Sequence, residues 1–415
     1  MSFVMSAGLV QVETSLAQAE QRSGDQFVLV QECFRHFDLD KVGTDGIHLS
    51  MFEMPGAFVF GSNGKAETLR RMWTLATSVL GVDPDRIWVS YFRGGRVLGN
   101  DLPADEITRE VWAGLGVSQD RIVGLVDDNY WVQGGGIDGM ETPRKAGPNS
   151  ELFWDRGADK ACGVHCRPSC RCGRFIEFSN SLFICKEVDR ETGGLRSMQE
   201  PFSETVIGTE RLAMILQNTP TVFDVDSYRP ILETIHSLVR NVELPESLMI
   251  SSEQVIADHA KALYVLVVDG APPPGKNGRE RIIKLLIRGM VMRAIILGIE
   301  PESLLGPIMG CLSRLVPDDL RATPEDELRL QTYFADESRR FLETIRRGQQ
   351  QLQAMVRANH GQTLSGQQIV YLEKQWGIPH LLAANMLKQQ GLAFAEAAYR
   401  RALCQWQSEE YEHDA

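Results

Sequence analysis

Two runs decide how the first half of the chain is read. The first is Gln31-Glu32-Cys33-Phe34-Arg35. The second, after Asp38-Leu39-Asp40-Lys41-Val42-Gly43 and His48, is Phe52-Glu53-Met54-Pro55-Gly56-Ala57-Phe58-Val59-Phe60-Gly61. Val28 to Cys33 and Phe58 to Phe60 are short β-branched and aromatic stretches bounded by Gly, Pro and Asp, and both read as strands. Working outward, Arg86 to Phe92, Arg121 to Val126 and Phe175 to Phe183 carry the same signature. Trp131 to Ser150 holds Gly134-Gly135-Gly136, Pro143, Gly147 and Pro148, and reads as a long surface connection. From about residue 224 the pattern becomes helical, over Tyr228 to Asn241, Ser252 to Val268, Gly278 to Leu297 and Glu325 to Ala358. In the last of these Leu330, Phe334, Phe341, Ile345 and Leu352 form one apolar stripe. The expectation is an α+β domain over residues 1–223, followed by an all-helical domain over 224–415.

Composition narrows the class. The chain has 415 residues, 43 Lys+Arg and 55 Asp+Glu, a formal charge of −12. That balance argues against indiscriminate nucleic-acid coating while permitting a local basic groove. The greasiest stretch, Ile282 to Ile299, is interrupted by Lys284, Arg288 and Arg293. A spanning helix needs about 20 apolar residues, so no membrane partner is expected. Met1 to Val12 lacks a basic n-region, which leads to an expected cytoplasmic location. Gly61-Ser62-Asn63-Gly64-Lys65-Ala66 falls short of a P-loop, because Val59 and Ala66 occupy required Gly and Ser/Thr positions.

Three segments resemble, in order, the catalytic core of the alanyl-tRNA synthetases, which are class II aminoacyl-tRNA synthetases. The two runs quoted first are similar to that family's motif 2, an arginine-bearing strand, a loop and a returning strand. Phe153-Trp154, Gly157, Cys162-Gly163 and Glu177-Phe178-Ser179-Asn180 form the second segment. Gly208-Thr209-Glu210-Arg211-Leu212-Ala213 resembles motif 3 and is followed by Phe223-Asp224-Val225-Asp226. The helical half matches through Ile256-Ala257-Asp258-His259, Val268-Asp269-Gly270, Arg347-Gly348 and Trp376-Gly377-Ile378-Pro379. The resemblance implies a class II antiparallel sheet core with flanking helices, then a helical tRNA-recognition domain.

It also implies a chemistry. In amino-acid activation a carboxylate attacks the α-phosphorus of ATP and pyrophosphate leaves, so fixed cations and Mg²⁺ stabilise the charge that accumulates on phosphate oxygens. By resemblance Arg35 holds the α-phosphate, while Phe52 and Arg211 sandwich the adenine. Glu177 helps hold Mg²⁺. Trp154, Asn180 and Glu204 line the amino-acid pocket, with Glu204 where the family places an Asp that binds the ammonium group.

The departures from the family are informative. The match begins near Met5-Ser6-Ala7-Gly8, so most of motif 1 is expected to be absent, as are the editing and C-terminal domains. The Gly-Gly-Lys-His-Asn run after the motif 2 arginine is reduced here to His36-Phe37. Glu204 in place of Asp and Val206 in place of Gly both take space from a pocket built for alanine, so selectivity is expected to shift. The Asn and Asp that read the acceptor stem are replaced by Gly275 and Leu381, with Asn277 as a substitute if the alignment slips. Arg281, Lys284 and Arg288 still form a helical stripe suited to phosphate contacts.

The cysteines split into two groups. Cys162, Cys166, Cys170 and Cys172, with His165, fall within one short loop, expected beside the amino-acid pocket. Such spacing suits Zn²⁺, structural or substrate-contacting, against the alternative of unpaired thiols among Arg167, Arg171 and Arg174. Cys33, Cys185, Cys311 and Cys404 read as small apolar side chains. The expected function is an ATP-dependent ligase that activates an amino acid and charges tRNA in a specialised role. The alternatives are transfer to a carrier protein, peptide or small metabolite, and a weakened regulator that binds tRNA or a ligand. Ile378 to Leu392 resembles a helix-turn-helix only superficially, so no DNA partner is expected.

Overall fold

The computed structural model describes residues 26–61, 64–133, 144–189, 192–240 and 242–413. The segment at Met5 to Gly8 and the run Gly134 to Gly136 lie outside the described residues. The chain divides into two compact units, Met1–Tyr228 and Arg229–Ala415.

The first unit is built on a sheet. Its strands are β1 (Gln26–Phe34), β2 (Met51–Phe60), β3 (Ile87–Phe92), β6 (Ile122–Leu125), β7 (Tyr130–Val132), β8 (Lys145–Asp155), β9 (Phe175–Val188) and β10 (Leu195–Ile207). Two short strands, β4 (Gly95–Val97) and β5 (Asn100–Leu102), form a hairpin of their own. The main order is β1-β2-β10-β9-β8-β3-β6, with β7 paired to β8. Every pairing in it is antiparallel except β3 with β6. Helices α1 (Lys65–Thr74), α2 (Glu106–Gly114) and α3 (Thr209–Leu216) flank it. Asp105 caps α2 by accepting from the Thr108 N–H and also takes a 2.7 Å ion pair from Lys65 at the start of α1.

Period-two burial explains the quoted hairpin. In β2 the even-numbered residues from Met54 to Phe60 are buried, while the odd ones between them are half-exposed. The strands pair from Gln26 opposite Val59 to Phe34 opposite Met51. The Arg35 N–H then donates to the Ser50 carbonyl at 2.8 Å, so Arg35 leaves the sheet at a fixed point.

Two readings need correction here. The stretch taken for a surface connection contains β7 and the first half of β8, and Lys145 to Phe153 are all buried. Gly147 is there because a Cβ would stand 2.0 Å from the Phe183 carbonyl oxygen. Gly147 and Pro148 occupy a register shift between Ala146 and Asn149, so they mark a bulge rather than a loop. β10 carries no strand signature in its sequence. Its Ser-, Gln- and Glu-rich first half is largely exposed and carries no alternating apolar pattern.

The second unit is helical: α4 (Arg229–Leu238), α5 (Glu246–Val268), α6 (Gly278–Ile296), α7 (Leu305–Leu315), α8 (Pro324–Ala358), α9 (Gly366–Trp376), α10 (His380–Gln389) and α11 (Glu396–His413). α5 is buried almost all round from Ser252 to Val267 and serves as its core. α6 packs closely on it at Gly289, where a Cβ would meet the His259 ring at 2.7 Å. α8 begins with a capping box between Thr323 and Asp326, and the apolar stripe read from its sequence is buried. Among the described residues no helix is long and apolar enough to cross a membrane.

Candidate active site

Two adjacent rows cross the sheet at a cavity, lined by Val206 and Asn180 of one and by Glu204 and Leu182 of the other. In one, Gly56, Val206, Asn180 and Glu151 stand opposite each other on β2, β10, β9 and β8; in the next, Phe58, Glu204, Leu182 and Asn149 do so. Residues in register share a face, so both rows look the same way. The turn at Gly208 ends β10 and starts α3, which brings Glu210 and Arg211 to the rim. Arg35, Phe52, Glu177, Asn180, Glu204, Val206 and Arg211 all line this cavity. His48, Met54, Trp131 and Leu182 complete much of the wall.

The polar groups are tied down. Arg211 Nη1 donates to the Glu177 carbonyl at 2.9 Å and lies 3.5 Å from the Glu177 carboxylate. The Arg35 guanidinium sits 4.9 Å from the centre of the Phe52 ring. Glu210 accepts from the Glu53 backbone N–H at 3.1 and 3.2 Å, and Thr209 Oγ1 donates to the Glu53 carboxylate at 2.8 Å. These bonds hold α3 against β2, and β2 pairs with β1, which ends beside Arg35, so Arg211 and Arg35 are held on connected elements. Asp45 bonds His48 through Nδ1 and accepts from the backbone N–H groups of Ile47 and His48 at 2.9 and 3.0 Å. Burial pulls the Asp45 carboxyl up, but those hydrogen bonds outweigh it and hold the group at about 2.

Beside the cavity, on the same face of the sheet, lies a buried polar network centred on Glu151. Glu151 accepts from Asn180 (3.1 Å), Asn149 (3.4 Å), Ser90 (3.3 Å) and Asn129 (3.5 Å). Burial first, and then the charges of Glu177 and Asp128, push its carboxyl well above the ordinary range. Asn180 Nδ2 also reaches Glu177 at 3.5 Å and so joins network and cavity. The available signal was Asn149 and Glu151 in alternating phase on what proved to be a strand.

The remaining expected residues lie elsewhere. Trp154 does not line the cavity; its ring packs under the Arg86 guanidinium at 4.0 Å, near the far end of β8. The cysteine loop is not beside the pocket either, since none of Cys162, His165, Cys166, Cys170 and Cys172 lines it. The loop joins β8 to β9 beyond Phe153 and Phe175, on which Cys166 and Cys170 pack. Cys162, Cys166 and Cys172 converge, whereas His165 is exposed and outside the group. On α6, Arg281 is exposed and Lys284 half-buried, but Arg288 pairs with the buried Glu337 at 2.6 Å and covers the Phe341 ring. The expected stripe of three free cations is therefore two, because one neutralises a buried carboxylate.

A sequence model of the family tRNA synthetases class II (A) matches residues 2–414. The chain belongs to the class II tRNA synthetases. This synthetase is 32% identical over 411 residues to the alanine--tRNA ligase of Desulforudis audaxviator (strain MP104C), covering 96% of this chain and 43% of that protein. It is 29% identical to the alanine--tRNA ligase of Clostridioides difficile (strain 630), with 96% and 44% covered. The chain thus spans less than half the length of the curated relatives it matches. The apo crystal structure of S. aureus histidyl-tRNA synthetase aligns over 54% of each chain, at 14% identity and a TM-score of 0.31.

Proposed function

We propose that this synthetase activates an amino acid as its aminoacyl adenylate and passes the aminoacyl group to tRNA, in a specialised role. The carboxylate oxygen attacks the α-phosphorus, the bond from that phosphorus to the α,β-bridging oxygen breaks, and pyrophosphate leaves. A hydroxyl of the acceptor then attacks the carbonyl carbon and AMP departs. The observation that carries the reading is the convergence of Arg35, Phe52, Glu177 and Arg211 in one cavity. Arg35 stabilises the α-phosphate oxygens, and Phe52 and Arg211 hold the adenine ring. The carboxylate oxygens of Glu177 suit Mg²⁺, which when bound offsets phosphate charge. Glu204, with Asn180 one row away, receives the ammonium group. Arg281 and Lys284 supply phosphate contacts for tRNA.

A second acceptor class has one specific observation in its favour. Gly275, where the family reads the acceptor stem, has no side chain to reach a base, and the Glu280 side chain occupies the space a Cβ there would take. Leu381, the other such position, has no group to hydrogen-bond a base edge. Transfer to a carrier protein, peptide or small metabolite follows the same chemistry.

ATP–pyrophosphate exchange over a panel of amino acids tests activation, and labelled transfer to total tRNA separates the acceptors. Exchange with no amino acid overturns the enzyme reading in favour of a binding regulator. Exchange dominated by alanine overturns the specialised role.

A further inference from the structure

The loop between β8 and β9 takes no part in the cavity, yet its sulfurs are gathered. The Sγ atoms of Cys162, Cys166 and Cys172 all lie within 4.8 Å of one another, and Cys166 and Cys172 are 3.4 Å apart. Cys170, half-buried against the same Phe153–Phe175 cluster as Cys166, is the loop's fourth sulfur. Two tight turns cause the convergence: the Cys166 N–H donates to the Gly163 carbonyl at 3.1 Å, and the Cys170 N–H to the Arg167 carbonyl at 2.8 Å. Four sulfurs around a tetrahedral Zn²⁺ with bonds of about 2.3 Å stand about 3.8 Å apart. A disulfide would bring two of them to about 2.05 Å, and all four are free.

We propose that Cys162, Cys166, Cys170 and Cys172 bind one Zn²⁺ as a closed, structural tetrathiolate site, with His165 outside it. Binding converts four thiols to thiolates and releases four protons to solvent. The surroundings suit that charge. Four thiolates and one dication leave two negative charges, and Arg167, Arg171 and Arg174 lie in the same loop. Arg174 follows Cys172 by two residues and leads the chain from the loop into β9. Its guanidinium grips the Asp155 carboxylate at 2.7 and 2.6 Å.

This ion pair connects the loop to the strands. Asp155 ends β8, pairs with Phe175 at the start of β9, and its carbonyl accepts two bonds from Arg86 at 2.9 and 2.7 Å. Two residues further in, Phe153 stands opposite Glu177. The metal thus clamps the end of the hairpin that carries Glu177 two residues in, with Asn180 and Glu151 beyond it. A full set of four protein ligands leaves no open position, so the ion holds the loop rather than touching substrate.

Elemental analysis of the full chain, purified under reducing conditions, tests the site. The expected result is about one zinc per chain, unchanged in His165→Ala and reduced about tenfold or more in Cys166→Ser and Cys170→Ser. Cobalt exchange into the wild-type chain gives a readout that needs no folded variant, the charge-transfer and ligand-field absorption of tetrahedral Co²⁺ in four thiolates. Two results overturn the proposal. One is a wild-type chain that retains no zinc after incubation with Zn²⁺ and reductant. The other is loss of the metal in His165→Ala.

Discussion

Arg211 is anchored to Glu177 twice, by a 2.9 Å hydrogen bond to the main-chain carbonyl and by a 3.5 Å approach to the carboxylate. The first contact survives any change of the Glu177 side chain. Glu177→Gln should therefore keep Arg211 in place and remove only the charge offered to Mg²⁺. Exchange activity is expected to fall about a hundredfold at low Mg²⁺, with partial recovery as Mg²⁺ rises. The KM for the amino acid should change little. Titrating exchange against Mg²⁺ checks this, and an equal loss at every Mg²⁺ concentration would show that the carboxylate acts in another way.

Val206 narrows the cavity from the centre of its row. Its Cγ1 stands 3.6 Å from where a Cβ on Gly56 would be, and Asn180 flanks it on the other side. Val206→Gly should raise kcat/KM for alanine about tenfold relative to wild type, within the range that small changes in an apolar pocket produce. Parallel exchange assays with alanine and glycine measure the ratio. A wild-type chain that already prefers alanine as strongly as the variant would refute the steric role of Val206.

Much of this site was legible because its residues sit at ends and turns that local chemistry marks. Arg35 follows a β-branched run, and Gly208-Thr209-Glu210-Arg211 opens a helix. The misreadings share a cause. Gly147-Pro148 signals a loop by composition, yet it accommodates the approach of the Phe183 carbonyl inside a buried strand. Asn129, Asn149 and Glu151 look like surface residues until the sheet brings them together, because pairing across sequence separations of 22 and 29 residues leaves no local trace. Trp154 fell to the same blindness, since a register shift between Leu152 and Phe153 precedes it.

The basic stripe on α6 separates into two kinds of cation. Arg281 and Lys284 carry the proposed phosphate contacts, so Arg281→Ala and Lys284→Ala should each weaken tRNA binding and lower the salt slope by about one, without loss of stability. Arg288→Ala should instead destabilise the helical unit by about 3 kcal/mol, because it removes the nearest partner, at 2.6 Å, of the buried Glu337. Filter binding across salt concentrations, with urea unfolding of each variant, distinguishes the roles. A stable Arg288→Ala with a reduced salt slope would restore the three-cation stripe.

Glu151 gives the first unit a pH dependence of its own. Burial, Glu177 and Asp128 raise its carboxyl in the folded chain well above the value it has when unfolded. The folded state therefore binds the proton more tightly, and the resulting stabilisation is complete below the unfolded glutamate range. It is lost as pH rises through the raised folded value. Glu151→Gln keeps the side-chain shape without titrating: its amide oxygen accepts from Asn180 and Asn149, and its amide NH2 can donate to Ser90 Oγ. The variant should unfold at a urea concentration that changes less with pH above about 5, and should exceed wild type at the alkaline end. Tryptophan-monitored unfolding over a pH series provides the comparison, because the Trp112 indole donates to Ser150 Oγ at 2.9 Å, one residue before Glu151. Parallel curves for the two proteins would show that Glu151 stays ionised, leaving its four donors to balance a buried carboxylate.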